Sequence, residues 1–281
     1  MKSKLFLISL FLITLNIFSQ DYITKKDGEK LKVIIKEVNK NNIKYVDYED
    51  PKGVLFTIDK VLVSEVKFAH GKNLDVKDPE EDALYFADDK LNNYMLNFSA
   101  FGGNTLGLAY ERALKPGQSI MAEVKVYGLG MKPDFEDSRS GFGLDLYYRL
   151  KTKSLFSNGA YRPKHILHGA YFAPSVGFSS GDITYNDYYN YNTNVASKYS
   201  ASHSIFHFGI QYGKQWILQR KVSIDASLGF HYYFGNDDSD ENGNLYEPLR
   251  LGNLIGGDNK LFGFNIRIGF LGGKDKIVTK N

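Results

Sequence analysis

Residues 221–233 alternate apolar and polar side chains with a period of two. Because a β-strand projects successive side chains to opposite faces, this segment has one continuous apolar face and one polar face. The polar face includes the carboxylate of Asp225 and the imidazole of His231. A tilted strand of about ten residues with two such faces can cross a bilayer if it has partner strands. Its apolar face consists of Val222, Ile224, Ala226, Leu228, Phe230 and Tyr232.

Seven further segments between Tyr94 and Phe270 show the same alternation. The first is predicted to run from Tyr94 to Ala100 and the last from Phe262 to Phe270. Closed antiparallel barrels of the bacterial outer membrane have an even number of strands, beginning at eight. The sequence therefore predicts an all-β chain in which residues 94–271 form an eight-stranded antiparallel transmembrane β-barrel. The apolar faces of the intervening segments begin at Leu106, Ile120, Phe142, Ile166 and Phe206.

The connections between these segments alternate in length. Outer-membrane barrels have short periplasmic turns and longer outer loops, so the alternation predicts an orientation with the N-terminal residues in the periplasm. The predicted inner turns are residues 114–119, residues 219–220 and the longer residues 151–164. The predicted outer loops are residues 131–140, 181–202 and 235–260.

Residues 1–20 are typical of a secretory signal peptide. Lys2 and Lys4 precede an apolar run from Leu5 to Leu15, which is shorter than the roughly 20 residues of a spanning helix. No later stretch has the length and apolarity of a spanning helix. The chain has no cysteine, which excludes disulfides, thiolate metal sites and a cysteine nucleophile. Its net charge of +3 is too small to indicate a nucleic-acid partner.

The residues between the signal peptide and the first alternating segment divide into two parts. Residues 21–72 contain short β-branched or aromatic segments separated by turn-forming residues, which predicts a small β module with a lysine-rich solvated face. Residues 73–93 are acidic and polar, and Asp78 before Pro79 is a helix-start signal, which predicts a linker or short helix. Residues 272–281 are predicted to form a C-terminal tail.

Charged residues recur on the polar faces of the alternating segments. An eight-stranded barrel has an interior just wide enough to be filled by side chains, so charges on its inner face must pair. The alternative is a soluble, secreted β-barrel with its apolar face inward, which would bind small apolar ligands. The predicted charge network of the lumen consists of Glu111, Glu123, Lys125, Asp145, Arg149, Asp225 and Arg267.

The signal peptide, the small lysine-rich β module and the eight alternating segments together resemble outer-membrane β-barrel proteins of the Bacteroidota. The barrel is similar to the OmpA and OmpX type. This resemblance implies an outer-membrane location, membrane lipid and the barrel-assembly machinery as partners, and a periplasmic N-terminal module that meets a periplasmic partner. It implies no catalytic residues.

Histidines on two neighbouring segments suggest an enzymatic alternative. His203 and His207 lie on one face of a strand, and His231 is predicted to approach them with Asp225 and Ser227 on the same side. A serine, a histidine and an acid inside a barrel could hydrolyse lipid. Hydrogen-bonded packing of the lumen explains the same residues without catalysis.

The last outer loop contains a partial calcium-binding pattern. Asp238, Asp240, Asn242 and Gly243 match the start of a calcium loop, but Leu249 stands where a glutamate is expected. A plain Asn-Gly turn in an acidic loop is the favoured explanation of the pattern. The sequence therefore predicts no cofactor, with calcium at this loop as the alternative.

Taken together, these patterns predict a non-catalytic outer-membrane protein with a structural or surface-interaction role. The tyrosine-rich residues 185–199 of the second long loop are predicted to form an ordinary mobile loop. The alternative is a contact surface, since tyrosine offers large contact area at low entropic cost. The two alternatives are an outer-membrane lipid-modifying hydrolase and a soluble secreted barrel that binds apolar ligands.

Overall fold

The computed structural model of the protein describes residues 20–77, 82–134, 136–152, 164–190, 195–237, 249–251, 254–257 and 259–273. The chain is all-β, with two antiparallel sheets. It divides into two compact units, Met1–Pro79 and Glu80–Asn281, and each unit contains one sheet. Within the described ranges no helix is long and apolar enough to cross a membrane, a finding that does not concern strands.

The sheet of the first unit has six strands. Asp27 and Gly28 form the turn between the first two strands, and Gly28 adopts a positive φ of 92° there, which glycine tolerates. In spatial order the strands are β4, β3, β2, β1, β5 and β6. Their bounds are β1 Asp21–Lys25, β2 Lys30–Val38, β3 Asn42–Asp47, β4 Phe56–Asp59, β5 Val63–Lys67 and β6 Asn73–Asp75.

This first sheet encloses an apolar core. The Asp21 carboxylate accepts hydrogen bonds from the backbone N–H groups of Ile35 (2.8 Å) and Ala69 (2.7 Å), which ties β1 to the chain on both sides. β6 lies within residues 73–93, which the sequence predicted as a linker; Asn73–Asp75 instead extend the sheet by pairing with β5. The core residues are Ile23, Val33, Ile43, Ile58, Val63 and Val66.

The second unit contains ten strands. They are β7 Asn92–Asn97, β8 Thr105–Lys115, β9 Gln118–Tyr127, β10 Glu136–Thr152, β11 Gly169–Asn190, β12 Val195–Leu218, β13 Val222–Asp237, β14 Leu249–Leu251, β15 Leu254–Gly257 and β16 Lys260–Gly272. A short helix, α1 (Phe98–Gly102), follows β7, and a 3-10 turn, Ala83–Phe86, lies before β7. Sequence neighbours from β7 to β13 pair in order.

Eight of these strands form a closed cycle of antiparallel pairs, here called the ring. β16 pairs with both β13 and β7, so that β7 to β13 and β16 each have two neighbours in the cycle. The strands are staggered. The chain of paired Cα atoms that leaves β13 at Asp225 passes through Arg267, Asn97 and Lys125 and returns to β13 at Gly235, ten residues further along.

The two faces of the ring strands differ in exposure as the sequence alternation predicts. Along β16 every second residue is exposed, and the residues between them are buried. Apolar side chains occupy the exposed face, with relative exposures of 36–68%. This outward apolar belt includes Tyr94, Leu108, Val124, Leu144, Val176, Phe208, Leu228, Phe234, Phe262 and Phe270.

The ring has two different ends. At the turn end, two residues connect β8 to β9 and three connect β12 to β13; in the second connection Gln219 and Arg220 both have positive φ (48° and 56°), as occurs in tight antiparallel hairpins. At the loop end lie α1, the hairpin of β14 and β15, and the long hairpin formed by the outer parts of β11 and β12.

In the second unit, several sequence predictions differ from the structure. The first segment ends at Asn97 rather than Ala100, because the Asn97 side chain accepts the Ala100 N–H (3.2 Å) and caps α1. Much of the predicted loop at residues 181–202 is strand, and its Ser202 hydroxyl donates across the pair to Asp182 (2.6 Å). Ile166, predicted on the outer face, precedes β11 and is buried at the turn end.

Candidate functional site: the charged interior of the ring

The seven charged residues predicted to face a lumen lie on the inner face of the ring strands. Contacts between strands that are not neighbours establish this direction: Arg267 on β16 contacts Glu123 on β9, and Arg149 on β10 contacts Asp225 on β13. Each residue of the set is at most 1% exposed. The set, called the interior network below, is Glu111, Glu123, Lys125, Asp145, Arg149, Asp225 and Arg267.

Arg267 joins two acids across the ring. Its Nη2 lies 2.7 Å from Oε2 of Glu123, and its Nη1 lies 3.0 Å from Oδ1 of Asp225. Its Nη2 also donates to Oδ1 of Asn265 (2.8 Å). The guanidinium carbon is 5.6 Å from the centroid of the Tyr147 ring. The guanidinium group of Arg267 is planar and permanently charged, and most of its N–H donors therefore have acceptors inside the ring.

Arg149 forms the second half of the same cluster. Its Nη2 lies 3.2 Å from Oδ1 of Asp225 and its Nη1 lies 3.3 Å from Oε2 of Glu111. Its guanidinium carbon stands 4.3 Å from the centroid of the Tyr171 ring, and the Tyr171 hydroxyl donates to the other Asp225 oxygen (2.8 Å). Asp225 thus bridges the two arginines and fixes their separation.

Lys125 and Asp145 form a separate pair. The Lys125 ammonium lies 2.7 Å from Oδ2 of Asp145. The same carboxylate accepts a hydrogen bond from the Tyr147 hydroxyl (3.0 Å), and its other oxygen lies 3.1 Å from Nε2 of His207. Three polar neighbours on β9, β10 and β12 therefore surround one buried acid.

Neutral side chains complete the hydrogen bonding of the glutamates. Glu111 accepts from the Ser119 hydroxyl and from the Gln215 amide, each at 2.7 Å. Glu123 accepts from the Asn97 amide (2.7 Å). Buried ion pairs persist only when their remaining hydrogen-bonding capacity is met in this way. These neutral residues are absent from the charge network predicted from the sequence, although their positions on the polar faces of the strands were a sufficient signal.

Apolar residues close the turn end of the ring. Phe86 and Leu167 pack against the inward ends of β8, β12 and β16. Asp89 accepts the Ile166 N–H (2.7 Å) and pairs with Arg220, which holds residues 83–91 against the segment before β11. The complete cluster is Phe86, Leu91, Ala113, Ile166, Leu167, Ile217 and Leu271, with Tyr85 packed against it.

A second apolar cluster closes the interior toward the loop end. Leu254 of β15 folds over β16 and packs among inward side chains of the ring. The Tyr127 hydroxyl lies 2.5 Å from the Ser179 hydroxyl, which links β9 to β11 inside the ring. In the described part of the ring, an apolar cluster therefore lies toward each end of the interior, with the interior network between the two clusters. The members of the loop-end cluster are Tyr127, Ile205, Tyr233, Leu254 and Leu261.

Two histidines at the turn end are held in their neutral form. Burial, together with the charges of Arg220 and Lys151, lowers the pKa of His165 to about 3. Burial, followed by the charges of Lys151 and Lys164, lowers the pKa of His168 to about 4. The neutral rings act as acceptors: Nδ1 of His165 receives the Leu167 N–H (3.1 Å), and Nδ1 of His168 receives the Ile217 N–H (3.3 Å).

The residues of the predicted hydrolytic set lie in three different environments. Ser227 donates to Oε1 of Gln211 (3.3 Å), and Asp225 is bound by two arginines. His207 and His231 stack edge to face, with ring centroids 5.3 Å apart. His203 lies 3.0 Å from the Ser179 hydroxyl.

The hydrogen bonds found for these residues do not connect Ser227 and Asp225 through a histidine, although both are inside the ring. His231 is closest to a different serine, with Nδ1 at 3.5 Å from the Ser175 hydroxyl, at the limit of a hydrogen bond. His231 approaches His207 as predicted, whereas Asp225 is paired with the two arginines. The lipid-hydrolase alternative stays a prediction from the sequence.

The predicted calcium residues Asp238, Asp240 and Asn242 lie outside the described residues, and so does Gly243. Within the described ranges there is no group of three or more histidine, aspartate or glutamate side chains arranged to hold a metal ion. The calcium hypothesis therefore stays a prediction from the sequence.

Comparison with other proteins does not add a family to this description. No protein-family model matches the chain, and searches of curated proteins and of solved structures find no similar protein.

Proposed function

We propose that the second unit is a closed transmembrane β-barrel of the outer membrane with a structural or surface-interaction role and no catalytic activity. In this proposal the outward apolar belt faces lipid, the interior network holds the strands together from within, and the first unit lies in the periplasm. Membrane lipid and the barrel-assembly machinery are its expected partners.

The observation that supports this proposal most strongly is the exposure pattern of the ring, which is the reverse of the pattern in water-soluble β domains: apolar side chains are outside and charged side chains are inside. Leu228 and Phe234 on the outside are 51% and 53% exposed, whereas Arg149 and Arg267 on the inside are fully buried. Soluble monomers rarely expose contiguous apolar patches larger than a few hundred Å². Lipid is the solvent in which an outer face of this kind is stable, because it removes the apolar surface from water.

The dimensions of the ring also suit a bilayer. For eight strands about 4.8 Å apart, a stagger of ten residues at about 3.3 Å each corresponds to a strand tilt of about 40°. At this tilt the outward residues from Phe262 to Phe270 span roughly 20 Å, and those from Phe206 to Leu218 span roughly 30 Å. The apolar band of outer-membrane barrels is about 25 Å tall.

The filled interior supports a role other than general diffusion. Eight strands leave room for side chains alone, and here the charged centre lies between two apolar clusters. Function would then depend on the surfaces at the two ends. The hairpin of β11 and β12, which is paired as far as Asn190 and Val195, is the longest feature at the loop end.

Cell fractionation followed by electrophoresis tests the proposal directly. A closed barrel resists detergent until it is heated, so the protein should be recovered in the outer-membrane fraction and should change mobility on boiling. Recovery in the soluble fraction with no heat-dependent shift would contradict the proposal. In planar bilayers the purified protein should give no conductance steps above those of protein-free membranes, and large steady openings would contradict the filled interior.

A further inference from the structure

The outer face of β8 to β11 contains a groove near the turn end. Its volume is about 450 Å³, which lies within the range of small-ligand sites. Ala122 and Pro174 have the smallest outward side chains in the groove, and larger side chains surround them. The surrounding residues are Tyr110, Ile120, Leu146, Tyr148 and Val176.

Two features of the sequence create this groove. Ala122 lies in register between Tyr110 and Leu146, so a methyl group stands between two large side chains. Pro174 has no N–H to donate to β10, and the pairing of the two strands passes from Tyr147 with Ser175 to Leu150 with Phe172. The outward apolar belt is therefore concave at this point.

The border of the groove toward the turn end is polar. Asn92 Oδ1 accepts hydrogen bonds from the Tyr110 hydroxyl (2.9 Å) and from Nη1 of Arg112 (3.0 Å). The Tyr148 hydroxyl donates to Oε1 of Gln118 (2.6 Å). Arg112 is partly exposed and is the register partner of Ile120, a residue of the groove. The apolar lining of the groove is therefore bordered directly by a cationic side chain, Arg112, on the side nearest the turn end.

We propose that this groove binds one anionic phospholipid, with an acyl chain along the apolar wall and the phosphate at Arg112. The inference rests on the proposed function, since it places the groove in the leaflet nearest the turn end. A concave apolar surface gives an acyl chain more close contacts than a flat one. The arginine adds attraction for a negative headgroup at the membrane surface, where aromatic side chains with polar tips are also typical.

The chain offers matched control positions on the opposite side of the ring. β13 stands four places from β9 in the cycle of eight strands, and its Ala226 is a small outward residue like Ala122. Lys214 on β12 is an outward cation beside Trp216, and it serves as the control for Arg112. Neither control position lines the groove.

The test is native mass spectrometry of the full-length protein in mixed micelles that contain phosphatidylglycerol and phosphatidylethanolamine. Wild type should retain one phosphatidylglycerol. Arg112→Gln should reduce the preference for phosphatidylglycerol about fivefold, as expected for the loss of one cation near the headgroups. Ala122→Phe should abolish retention by filling the groove. Lys214→Gln and Ala226→Phe should behave as wild type.

The heat-dependent gel shift of each variant separates failure of this inference from failure of the proposed function. One result would overturn the lipid site alone. In that result, all variants are membrane-inserted and heat-modifiable, and the groove variants retain as much phospholipid as wild type and the control variants. A dimer that Ala122→Phe dissociates without any change in bound lipid would also overturn it, in favour of a second copy of the chain. A soluble protein without a gel shift would remove both proposals.

Discussion

The two sheets of this protein bury opposite faces. In the first unit Ile23, Ile43 and Val66 are enclosed, and lysines such as Lys32 and Lys36 are exposed. In the ring Arg149 and Arg267 are enclosed, and phenylalanines such as Phe208 and Phe262 are exposed. Both sheets come from strands with period-two alternation, so the alternation determines that the faces differ but does not determine which face is buried.

The comparison shows that different forces hold the two units together. Burial of apolar surface stabilises the first sheet, as in most small domains. The ring interior is stabilised by ion pairs and hydrogen bonds between buried side chains, and removal of one partner of a pair leaves an uncompensated buried charge, which is strongly unfavourable. The first unit should therefore tolerate loss of single polar contacts, and the ring should not.

Arg267→Met should produce the largest effect on stability. The substitution keeps side-chain length but leaves Glu123 and Asp225 without their shared cation, which should cost about 3–5 kcal/mol of the free energy of unfolding. Urea unfolding of the full-length protein in detergent micelles measures this loss. Lys214→Met, at an exposed cation on the outer face, is the control and should change stability by about 0.5 kcal/mol or less.

A double-mutant cycle would sharpen this prediction. Glu123→Gln combined with Arg267→Met should be less destabilising than the sum of the two single changes, because each single change leaves an unpaired partner behind. Additive effects would mean that the two side chains do not stabilise each other, and the interior network would then be a set of separate contacts.

Ile23→Ala should have the next largest effect and should confine it to the first unit. Ile23 is fully buried in the core of that sheet, and truncation leaves a cavity that costs about 2–5 kcal/mol. Hydrogen exchange on the full-length chain should show faster exchange in residues 20–77 and unchanged exchange in the ring strands. Thr57→Ala, at an exposed position on β4, should leave both patterns intact. Equal loss of protection in both sheets would show that the units are not independently stabilised.

Two equally exposed leucines test which solvent surrounds each sheet. Leu228 on the outside of the ring is 51% exposed, and Leu55 in the first unit is 53% exposed. In lipid, Leu228→Arg should cost about 2–4 kcal/mol, whereas Leu55→Arg in water should change stability by about 0.5 kcal/mol or less. Unfolding from phospholipid vesicles measures both. If Leu228→Arg is as neutral as Leu55→Arg, the ring does not face lipid.

Much of this architecture could be predicted because alternation and turn chemistry are local signals. Strand parity alone predicts that Arg149 lies on the polar face of its strand and Phe264 on the apolar face. The contacts between Arg267 and Glu123 could not be predicted, because they cross the ring and depend on a stagger of ten residues that no local pattern encodes. The contacts of Ser227, Asp225 and His231 could not be predicted for the same reason, since strand parity indicates the face of a side chain but not its neighbours.

The ends of the strands also could not be predicted from local sequence patterns. Asn97 could continue a strand or cap a helix, and its side-chain bond to the Ala100 N–H decides for α1. Residues 181–202 are rich in serine and tyrosine, which suit both mobile loops and solvated strands. Pairs such as Thr184 with Ser200, whose hydroxyls lie 3.0 Å apart, extend the ladder there. The apolar closure at the turn end joins residues from five distant segments, which no sequence window contains.

At the turn end of the ring, an apolar cluster meets the polar interior. Acidic pH should lower the stability of this region. His165 has a pKa near 3 in the folded protein and near 6.5 when unfolded, so the unfolded chain binds the extra proton as the pH falls below about 6.5. Stability is therefore complete above that pH and declines toward pH 4. The decline attributable to His165 should be about 2 kcal/mol between pH 7 and 4.5, as measured by urea unfolding at each pH.

His165→Asn gives this prediction its control. Asparagine can still accept the Leu167 N–H through a side-chain oxygen but does not titrate, so the variant should lose less stability than wild type over the same pH range. An identical decline in His165→Asn and wild type would assign the acid sensitivity to other groups. The polar interior, rather than its apolar closure, would then be the part of the ring that responds to acid.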